Sequence, residues 1–473
     1  MICDKKMSFE ECELAILRAA VDKTESLQGE KLLNNPDIKN IISTVEKFIK
    51  DNKLICYGGT AINNILPKDD QFYNLDIELP DYDFFSPNPI EHSKKLADLF
   101  HSLGYNEVEA KAGVHYGTYK VFVDFLPIAD ITFLNKELFK SISKDAIKVN
   151  GLLYCPADFL RMNMYLELSR PRGDVSRWEK VLKRLTLLNK NYPLKHKNCN
   201  SEIIQRVFDE KKQGNKYFTD NIFNIVLNGL IDQNVVFFGA FANKLYLRNL
   251  PEYKNTLKKI PDFDVLSENP DVTARIIKEK LERAKIKNIK INKKNAIGEI
   301  IPEHYEIAIE GNNIKSRDAF CFIYKPIGCH SYNLTSYFNK KIRIATIDTI
   351  LSFYLAFTYV NRAYYDKQRL LCMCNYLFEI QKRNRLKQNG ILKRFSISCY
   401  GEQETIEEIR NKKSQMFNKL KNKKNSKEYE EWFLKYNPAD KNNKTKIISK
   451  TKKNKYTKKN KTKKNLLSRL IKF

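Results

Sequence analysis

The chain has 473 residues, of which 42% are hydrophobic and 12% aromatic, so it is too apolar for a largely disordered protein and long enough for two or three domains. Its net charge of +28 indicates a polyanionic partner, and composition alone leaves RNA, DNA and an anionic membrane surface open. No apolar run reaches the roughly 18 residues that a membrane-spanning helix needs, so we expect a soluble, intracellular protein without a membrane partner.

The first half of the chain alternates helices with short strands. Apolar residues at helical spacing predict a helix over 37–50, which leads into a strand over 54–57. A Gly-Gly-Thr turn and a helix from about Ala61 follow, then a strand that carries the sequence PDYDFFS and a helix over 89–103. The sequences YKVFVDF and IADITFL predict two further strands, which we expect Pro127 to separate.

Asp81 and Asp83 lie two residues apart on one of these predicted strands. Side chains alternate in direction along a strand, so both carboxylates should point to the same side and would repel each other without a cation between them. Hard cations such as Mg²⁺ prefer oxygen ligands and are commonly held by carboxylates together with substrate phosphates. This pattern favours a nucleotide-dependent reaction, although a D-x-D pair alone is also common at solvated edges and turns.

A third carboxylate on a neighbouring strand would complete a two-metal site. Asp130 is favoured because it lies within the apolar sequence IADITFL, where an ionised carboxylate is costly unless it is paired or bound to metal. Asp124, in VFVDF, is the alternative, because Pro127 obscures the register between the two strands.

Gly58 and Gly59 end a strand and begin a helix, so the backbone can approach phosphate oxygens whose charge a helix N-terminus favours. Thr60 could add a hydroxyl donor. The pattern is not a P-loop, because no lysine follows in the G-K-[ST] arrangement. Taken alone, the glycine pair is compatible with an ordinary turn.

After residue 150 the pattern becomes helical. Ser176 and Glu179 have the spacing of a capping box, and an apolar stripe follows them. Arg177, Lys180 and Lys183 occupy the opposite face, either as a solvated surface or as positive charge for a polyanion.

The order of elements then begins again, with each position of the first motif recurring 181 residues later. Gly239, Ala240 and Phe241 replace the Gly-Gly-Thr turn, and Asp262 and Asp264 repeat the acidic pair. Helices over 217–231 and 271–284 and from residue 346 onward are predicted around the strands VVFFG, PDFDVLS and YEIAIE. The repeat predicts tandem domains of one fold.

Two further features concern the cysteines and the C-terminus. The ten cysteines are scattered, so we expect reduced, buried thiols and no zinc site. Residues 441–473 contain fourteen Lys or Arg and no acid, half of the net charge. Such a tail could hold RNA, or it could be a disordered, solubilising or targeting segment.

The motifs YGGTAIN, PDYDFFS, YKVFVDFLPIADIT and SRPRGDVSRWEKVLKRLTLLN resemble nucleotidyltransferases of the DNA polymerase beta type, and within them the poly(A) polymerase catalytic subunits of large DNA viruses such as mimiviruses and poxviruses. The resemblance spans most of residues 35–400 and weakens in the second half.

The resemblance implies a role for each motif residue. Gly58, Gly59 and Thr60 would hold the phosphates of ATP. The catalytic carboxylates would bind two Mg²⁺ or Mn²⁺ ions, and these residues are Asp81, Asp83 and Asp130. The reaction would be template-independent addition of AMP to RNA 3′ ends, in the host cytoplasm or virus factory, with packaging in the virion and a homodimer as further expectations.

The second copy departs from the pattern, because Ala240 and Phe241 put side chains where the backbone should meet phosphate. Aligning YEIAIEGNNIKS with YKVFVDFLPIAD places Glu310 beside Asp124 and Ser316 beside Asp130, so the third acid is expected to be absent. We therefore expect an inactive copy that serves as a scaffold, in RNA contact or in self-association.

The predicted fold class is α+β (mixed), with two tandem nucleotidyltransferase-like domains, each a small mixed sheet with flanking helices. The predicted boundaries are an N-terminal helical segment 1–34, a catalytic domain 35–150, a helical linker 151–216, a degenerate domain 217–400 and a Lys-rich extension 401–473, partly disordered. The alternative functions are a nucleotidyltransferase of the same fold that acts on free nucleotides and a non-catalytic RNA-binding protein.

Overall fold

The computed structural model describes residues 2–4, 6–74, 79–194, 199, 220–251, 261–309, 319–362 and 364–440. The chain forms two compact units. Unit 1 takes its described residues from Met1–Cys56, Tyr73–Phe133 and Arg410–Phe473, and unit 2 from Tyr57–Phe72 and Leu134–Ile409. The basic tail 441–473 lies outside the described residues.

Several helices begin where a side chain or a proline satisfies the first turn. Asn35 accepts a hydrogen bond from the Asp37 backbone N–H, and Pro36 supplies a first residue that needs no donor. In chain order the α-helices are α1 Phe9–Leu33, α2 Pro36–Asp51, α3 Gly58–Ile65, α4 Pro89–Ser102, α5 Lys136–Lys144, α6 Ala157–Leu168, α7 Trp178–Asn191, α8 Asp220–Asp232, α9 Gly239–Leu247, α10 Pro270–Arg283, α11 Ile347–Phe357, α12 Lys367–Arg383, α13 Ile406–Leu420 and α14 Lys427–Phe433.

The strands are short, and some of them, such as β4, alternate buried with half-exposed residues. In chain order they are β1 Ile55–Cys56, β2 Asp83–Ser86, β3 Val108–Ala112, β4 Thr118–Val123, β5 Leu126–Phe133, β6 Ile147–Val149, β7 Leu152–Tyr154, β8 Val236–Phe238, β9 Phe263–Leu266, β10 Ile289–Lys294, β11 His304–Ile309, β12 Ala319–Tyr324, β13 His330–Tyr337, β14 Lys340–Ala345, β15 Cys399–Tyr400 and β16 Lys435–Tyr436.

In unit 1 the strands are ordered β16-β3-β4-β5-β2-β1. Only β2 and β5 run parallel among these neighbours, and the other pairs are antiparallel. Helix α4 buries Leu96, Ala97 and Phe100 and contacts β3 and β4. The last described strand, β16, therefore returns the C-terminal part of the chain to the edge of this sheet.

In unit 2 a second sheet is ordered β10-β11-β12-β9-β8-β14-β13-β15. Its first five strands repeat the β3-β4-β5-β2-β1 order of unit 1, including the single parallel pair, here β9 with β12. Helix α11 is buried along its whole length and contacts α6 and α12. The α+β class with a duplicated mixed sheet is therefore confirmed.

Several local predictions differ from the structure. Pro127 does not separate two strands, because it lies inside β5, and the chain turns at Asp124 and Phe125 instead. The Ser176 capping box is also wrong: the Ser176 hydroxyl donates to the Asp174 carboxylate, and α7 begins at Trp178. The helix expected from residue 346 onward is interrupted between α11 and α12.

The cysteines also depart from the expectation of free thiols. Disulfides join Cys3 to Cys12, Cys199 to Cys372 and Cys329 to Cys399. The remaining four thiols are buried, namely Cys56, Cys155, Cys321 and Cys374. The two longer links connect residues 173 and 70 positions apart, pairings that scattered cysteines do not reveal in a sequence.

Among the residues that the structure describes, no helix is both long enough and apolar enough to cross a membrane.

Candidate active site

The parallel strands of unit 1 bring two predicted site residues together. Asp83 is the first residue of β2, and its register partner on β5 is Asp130. Register partners on neighbouring strands project from the same face of a sheet, about 5 Å apart along the hydrogen-bonding direction. The two carboxylates are therefore side by side, and both are partly buried.

A lysine on the next strand partly neutralises this pair. Lys120 on β4 is the register partner of Asp130, and its Nζ lies 2.5 Å from Asp130 Oδ2. The Asp130 side chain is 18% exposed and that of Lys120 39%, so solvent screens the ion pair only in part. The sequence analysis missed Lys120; its signal was the alternation in TYKVFV, where the residues on either side of the lysine are aromatic or apolar.

Asp81 lies just before β2 rather than within it, and it is exposed. Its carboxyl pKa is nevertheless raised, first by partial loss of hydration and then by the negative charge of Asp130, against the lowering effect of Lys120. The charge of Asp130 thus acts on Asp81 as well. On β1, burial and, to a smaller extent, the negative charge of Asp83 raise the pKa of the Cys56 thiol. A thiol with a raised pKa in the core is expected to be inert.

Asp124, the alternative third acid, lies elsewhere. It forms with Phe125 the two-residue turn between β4 and β5, and both residues have positive φ, 47° and 66°. Positive φ at both central positions is the geometry of a type I′ hairpin, which aspartate tolerates. Asp124 is exposed in this turn, whereas Asp130 is beside Asp83.

The glycine turn belongs to unit 2. Gly58 has φ 77° and begins α3. No side chain caps the first turn of α3, and an anion bound at this helix end would need such an uncapped turn. Tyr192 fixes the other end of α3 by donating its hydroxyl to the Ile65 carbonyl at 2.7 Å. Thr60 is buried, at 3% exposure.

The donor set of unit 1 suits a divalent ion that shares its coordination with other ligands. Within the described part of the chain, no group of three or more His, Cys, Asp or Glu side chains is arranged to hold an ion by itself. Mg²⁺ usually keeps several waters and takes one or two protein carboxylates with substrate phosphates, a demand that adjacent Asp83 and Asp130 meet. Lys120 shows that this edge already attracts a cation.

The second sheet has different residues at the corresponding positions. Asp264 corresponds to Asp83, and its parallel register partner on β12 is Phe322. Phe322 therefore takes the place of Asp130, which corrects the sequence alignment that had put Ser316 there; Glu310 and Ser316 lie outside the described residues. The third acid is absent from the second copy at this register position.

The glycine of the second copy is closely packed. Gly239 has φ 71°, and a Cβ added to it would lie 1.9 Å from Asp264 Oδ2. Glu306, the register partner of Phe322, stands where the first sheet has Lys120, and Asp262 is buried. The Asp264 side chain thus fills the space between the Gly239 turn and strand β9.

Three predicted basic residues are exposed, Arg177 just before α7 and Lys180 and Lys183 on it. Lys183 pairs with Glu179 at 2.7 Å, and Arg177 pairs with Glu167 at 3.3 Å. Arg184 lies over the ring of Phe72 at 4.8 Å from its centroid.

Comparison with known proteins bears on this site. Residues 43–174 match the family model described as the poly(A) polymerase catalytic subunit. The resemblance inferred from the motifs is therefore confirmed, and the matched segment contains the glycine turn and all four candidate aspartates.

Relatives with this name occur in large DNA viruses. A poly(A) polymerase catalytic subunit of African swine fever virus is 32% identical over 180 residues, which cover 37% of this chain and 38% of that protein. The corresponding protein of Acanthamoeba polyphaga mimivirus is 27% identical over 248 residues, covering 48% of this chain and 41% of the relative. The chain thus matches about two fifths of the length of these relatives.

The fold resemblance extends further than the sequence match. The crystal structure of the Megavirus polyadenylate synthase superposes with a TM-score of 0.73 at 18% identity, covering 93% of this chain and 88% of that one. At this identity the likeness concerns the fold.

Proposed function

We propose that the chain is a poly(A) polymerase that adds AMP units from ATP to RNA 3′ ends without a template. The observation that supports this most is the adjacency of Asp83 and Asp130 on parallel strands, within the segment that matches the family model. The net charge of +28 is consistent with a long polyanionic substrate.

Each motif residue has a part in this proposal. Asp81, Asp83 and Asp130 would supply oxygen ligands to two Mg²⁺ or Mn²⁺ ions. When bound, such ions lower the pKa of the attacking 3′ hydroxyl and neutralise charge on the departing pyrophosphate. Gly58 and Gly59 would present backbone N–H groups of α3 to the ATP phosphates, with Thr60 in the same turn.

The second sheet would not catalyse the reaction. Its third acid position holds Phe322, and Asp264 occupies the space beside Gly239. We propose that it serves as a scaffold. Its aspartates therefore provide internal controls for those of unit 1.

The test is primer extension with labelled RNA, each NTP in turn, and Mg²⁺ or Mn²⁺. Asp83→Asn or Asp130→Asn should lower ATP incorporation by more than about a hundredfold, because each removes a charged ligand from the ion site. Asp264→Asn and Asp124→Asn are the matched controls, and they should retain activity.

Other outcomes would select another function. Loss with Asp264→Asn but not with Asp83→Asn would assign the reaction to the second sheet. Products made from ATP without primer would indicate a nucleotidyltransferase that acts on free nucleotides. RNA binding without incorporation, and without any effect of divalent ions on melting temperature, would indicate a non-catalytic RNA-binding protein.

Cellular location and assembly are separate proposals. The relatives that this chain resembles are viral proteins, and we propose that it acts in the host cytoplasm or virus factory and is packaged in the virion. We also propose self-association as a homodimer. Immunofluorescence in infected cells, immunoblots of purified virions and analytical ultracentrifugation test these three points.

A further inference from the structure

A row of lysines continues the line of acidic residues across the sheet of unit 1. Asp83, Asp130 and Lys120 are successive register partners on β2, β5 and β4. The next partner, on β3, is Lys111, and the one after it, on β16, is Lys435. The sheet therefore carries two acids followed by three lysines in one continuous row.

These side chains share the face of the sheet opposite α4. Alternate residues of β3 and β4 are buried, as Ala110 and Val121 illustrate, and α4 contacts those two strands. Lys111 and Lys120 are next to these buried residues in sequence, so their side chains point to the opposite face of the sheet. The side chains of Lys111 and Lys120 are 44% and 39% exposed, and Lys435 is exposed as well.

The neighbours of the row fit a nucleic acid. Lys111 Nζ lies 4.0 Å from the ring centroid of Phe122, a half-exposed residue on β4 with the same parity as Lys120. Cations combined with aromatic rings are the usual surface for single-stranded nucleic acid. Glu109 pairs with Lys111 at 3.0 Å, and an exposed pair of this kind is weak enough for a phosphate to replace the carboxylate.

We propose that Lys111 and Lys435 bind the phosphates of single-stranded RNA upstream of its 3′ end. The proposal rests on the polymerase function above, because the row leads away from the carboxylates at which the 3′ hydroxyl would react. Strands are about 4.8 Å apart, so the three steps from β5 to β16 span about 14 Å. This length exceeds one triphosphate group and suits several nucleotides of a polymer.

The second sheet provides a structural contrast. At the positions of Lys120 and Asp130 it has Glu306 and Phe322, so the same strand order forms without this pair. The fold alone does not require an acid and a lysine at these two positions. Charge complementarity with a polyanion is a sufficient reason for it.

The test measures RNA binding without metal or ATP, so that catalysis does not enter. A fluorescein-labelled single-stranded RNA of about 15 nucleotides is titrated in EDTA with the full chain and with Lys111→Gln/Lys435→Gln. The control, Lys47→Gln/Lys50→Gln on α2, removes the same charge from exposed positions that are not on the sheet. Circular dichroism and melting temperature verify that each variant folds.

The expected result is a loss of affinity confined to the sheet variant. At about 0.1 M salt the removal of one lysine–phosphate pair costs about fivefold, so the double variant should bind about 25-fold more weakly, with a salt slope smaller by about 1.4. Its KM for ATP should be unchanged while its KM for the primer rises.

Two outcomes would overturn the proposal. Equal losses in both double variants would mean that only net charge matters, and an unchanged affinity in the sheet variant would mean that RNA does not use this row. If the wild-type chain binds RNA through the row but extends no primer, the binding site stands and the polymerase function fails.

Discussion

The cross-strand pair of Lys120 and Asp130 is the residue-scale feature on which the candidate site depends. Two carboxylates in adjacent register repel each other, and the Lys120 ammonium at 2.5 Å offsets part of that repulsion. A divalent ion bound there would have to share Asp130 with this ammonium or displace it. Lys120 is therefore a competitor of the ion as well as a stabiliser of the sheet.

Replacing Lys120 by methionine should increase the affinity of the site for divalent ions. An exposed ion pair is worth up to about 1 kcal/mol and this pair is screened only in part, so the gain should be about fivefold or somewhat more. The measurement is the melting temperature as a function of Mn²⁺ concentration, with Lys47→Met as the control. A higher Mn²⁺ requirement in Lys120→Met would mean that Lys120 supports the ion site instead of competing for it.

At the scale of single elements, the two glycine turns share one backbone shape. Gly58 and Gly239 both have positive φ, 77° and 71°, and both begin a helix after a short strand. In the second copy the Asp264 side chain lies where a Cβ of residue 239 would be. The turn there has a packing role, and alanine should not fit.

Gly239→Ala should therefore destabilise the protein by more than its backbone conformation alone explains. Gly390→Ala is the matched control, because Gly390 has φ 52° and no atom within 4 Å of its added Cβ. Both variants carry the cost of a non-glycine residue at positive φ, about 1 kcal/mol, and Gly239→Ala adds overpacking of about 1–3 kcal/mol. Urea denaturation of both variants measures the difference, and equal losses would contradict the packing role.

The sequence predicts the elements of this fold better than their register. The 181-residue repeat of Gly58 and Asp83 marks the duplicated fold, because each turn and each acidic pair is a local pattern. Which acid lies on β5, the strand that pairs with β2, depends on where β4 turns into β5. That turn is at Asp124 and Phe125, and a phenylalanine with positive φ gives no sequence signal, whereas Pro127 gives a misleading one.

The same limit explains the residues that the sequence analysis missed. The roles of Lys120 and Phe322 depend on the residues opposite them on the neighbouring strands. Strand pairing is a long-range property, and shifting it by one residue would move every side chain to the other face. Local periodicity could assign Asp130 to a strand but could not identify its neighbours.

At the scale of the whole molecule, the chain combines a duplicated sheet with an uneven distribution of charge. Half of the net charge of +28 belongs to residues 441–473. The last described strand, β16, pairs with β3, in the same sheet as Asp83 and Asp130. The basic segment therefore follows, in sequence, shortly after a strand of the sheet that carries the candidate carboxylates.

Truncation after Asp440 should separate the tail from the sheet without disturbing β16, because Asn437 accepts hydrogen bonds from the backbone N–H groups of Ala439 and Asp440 and closes the chain there. If the tail retains RNA between additions, the truncated chain should make shorter poly(A) products and show a smaller salt dependence of RNA binding, by about 0.7 in slope for each phosphate that the tail neutralises. Its rate of first-nucleotide addition at saturating primer should be unchanged, since Asp83 and Asp130 remain in place. Product lengths and salt slopes equal to those of the full chain would instead assign the tail to solubility or targeting, and the +14 left in residues 1–440 would then account for RNA affinity.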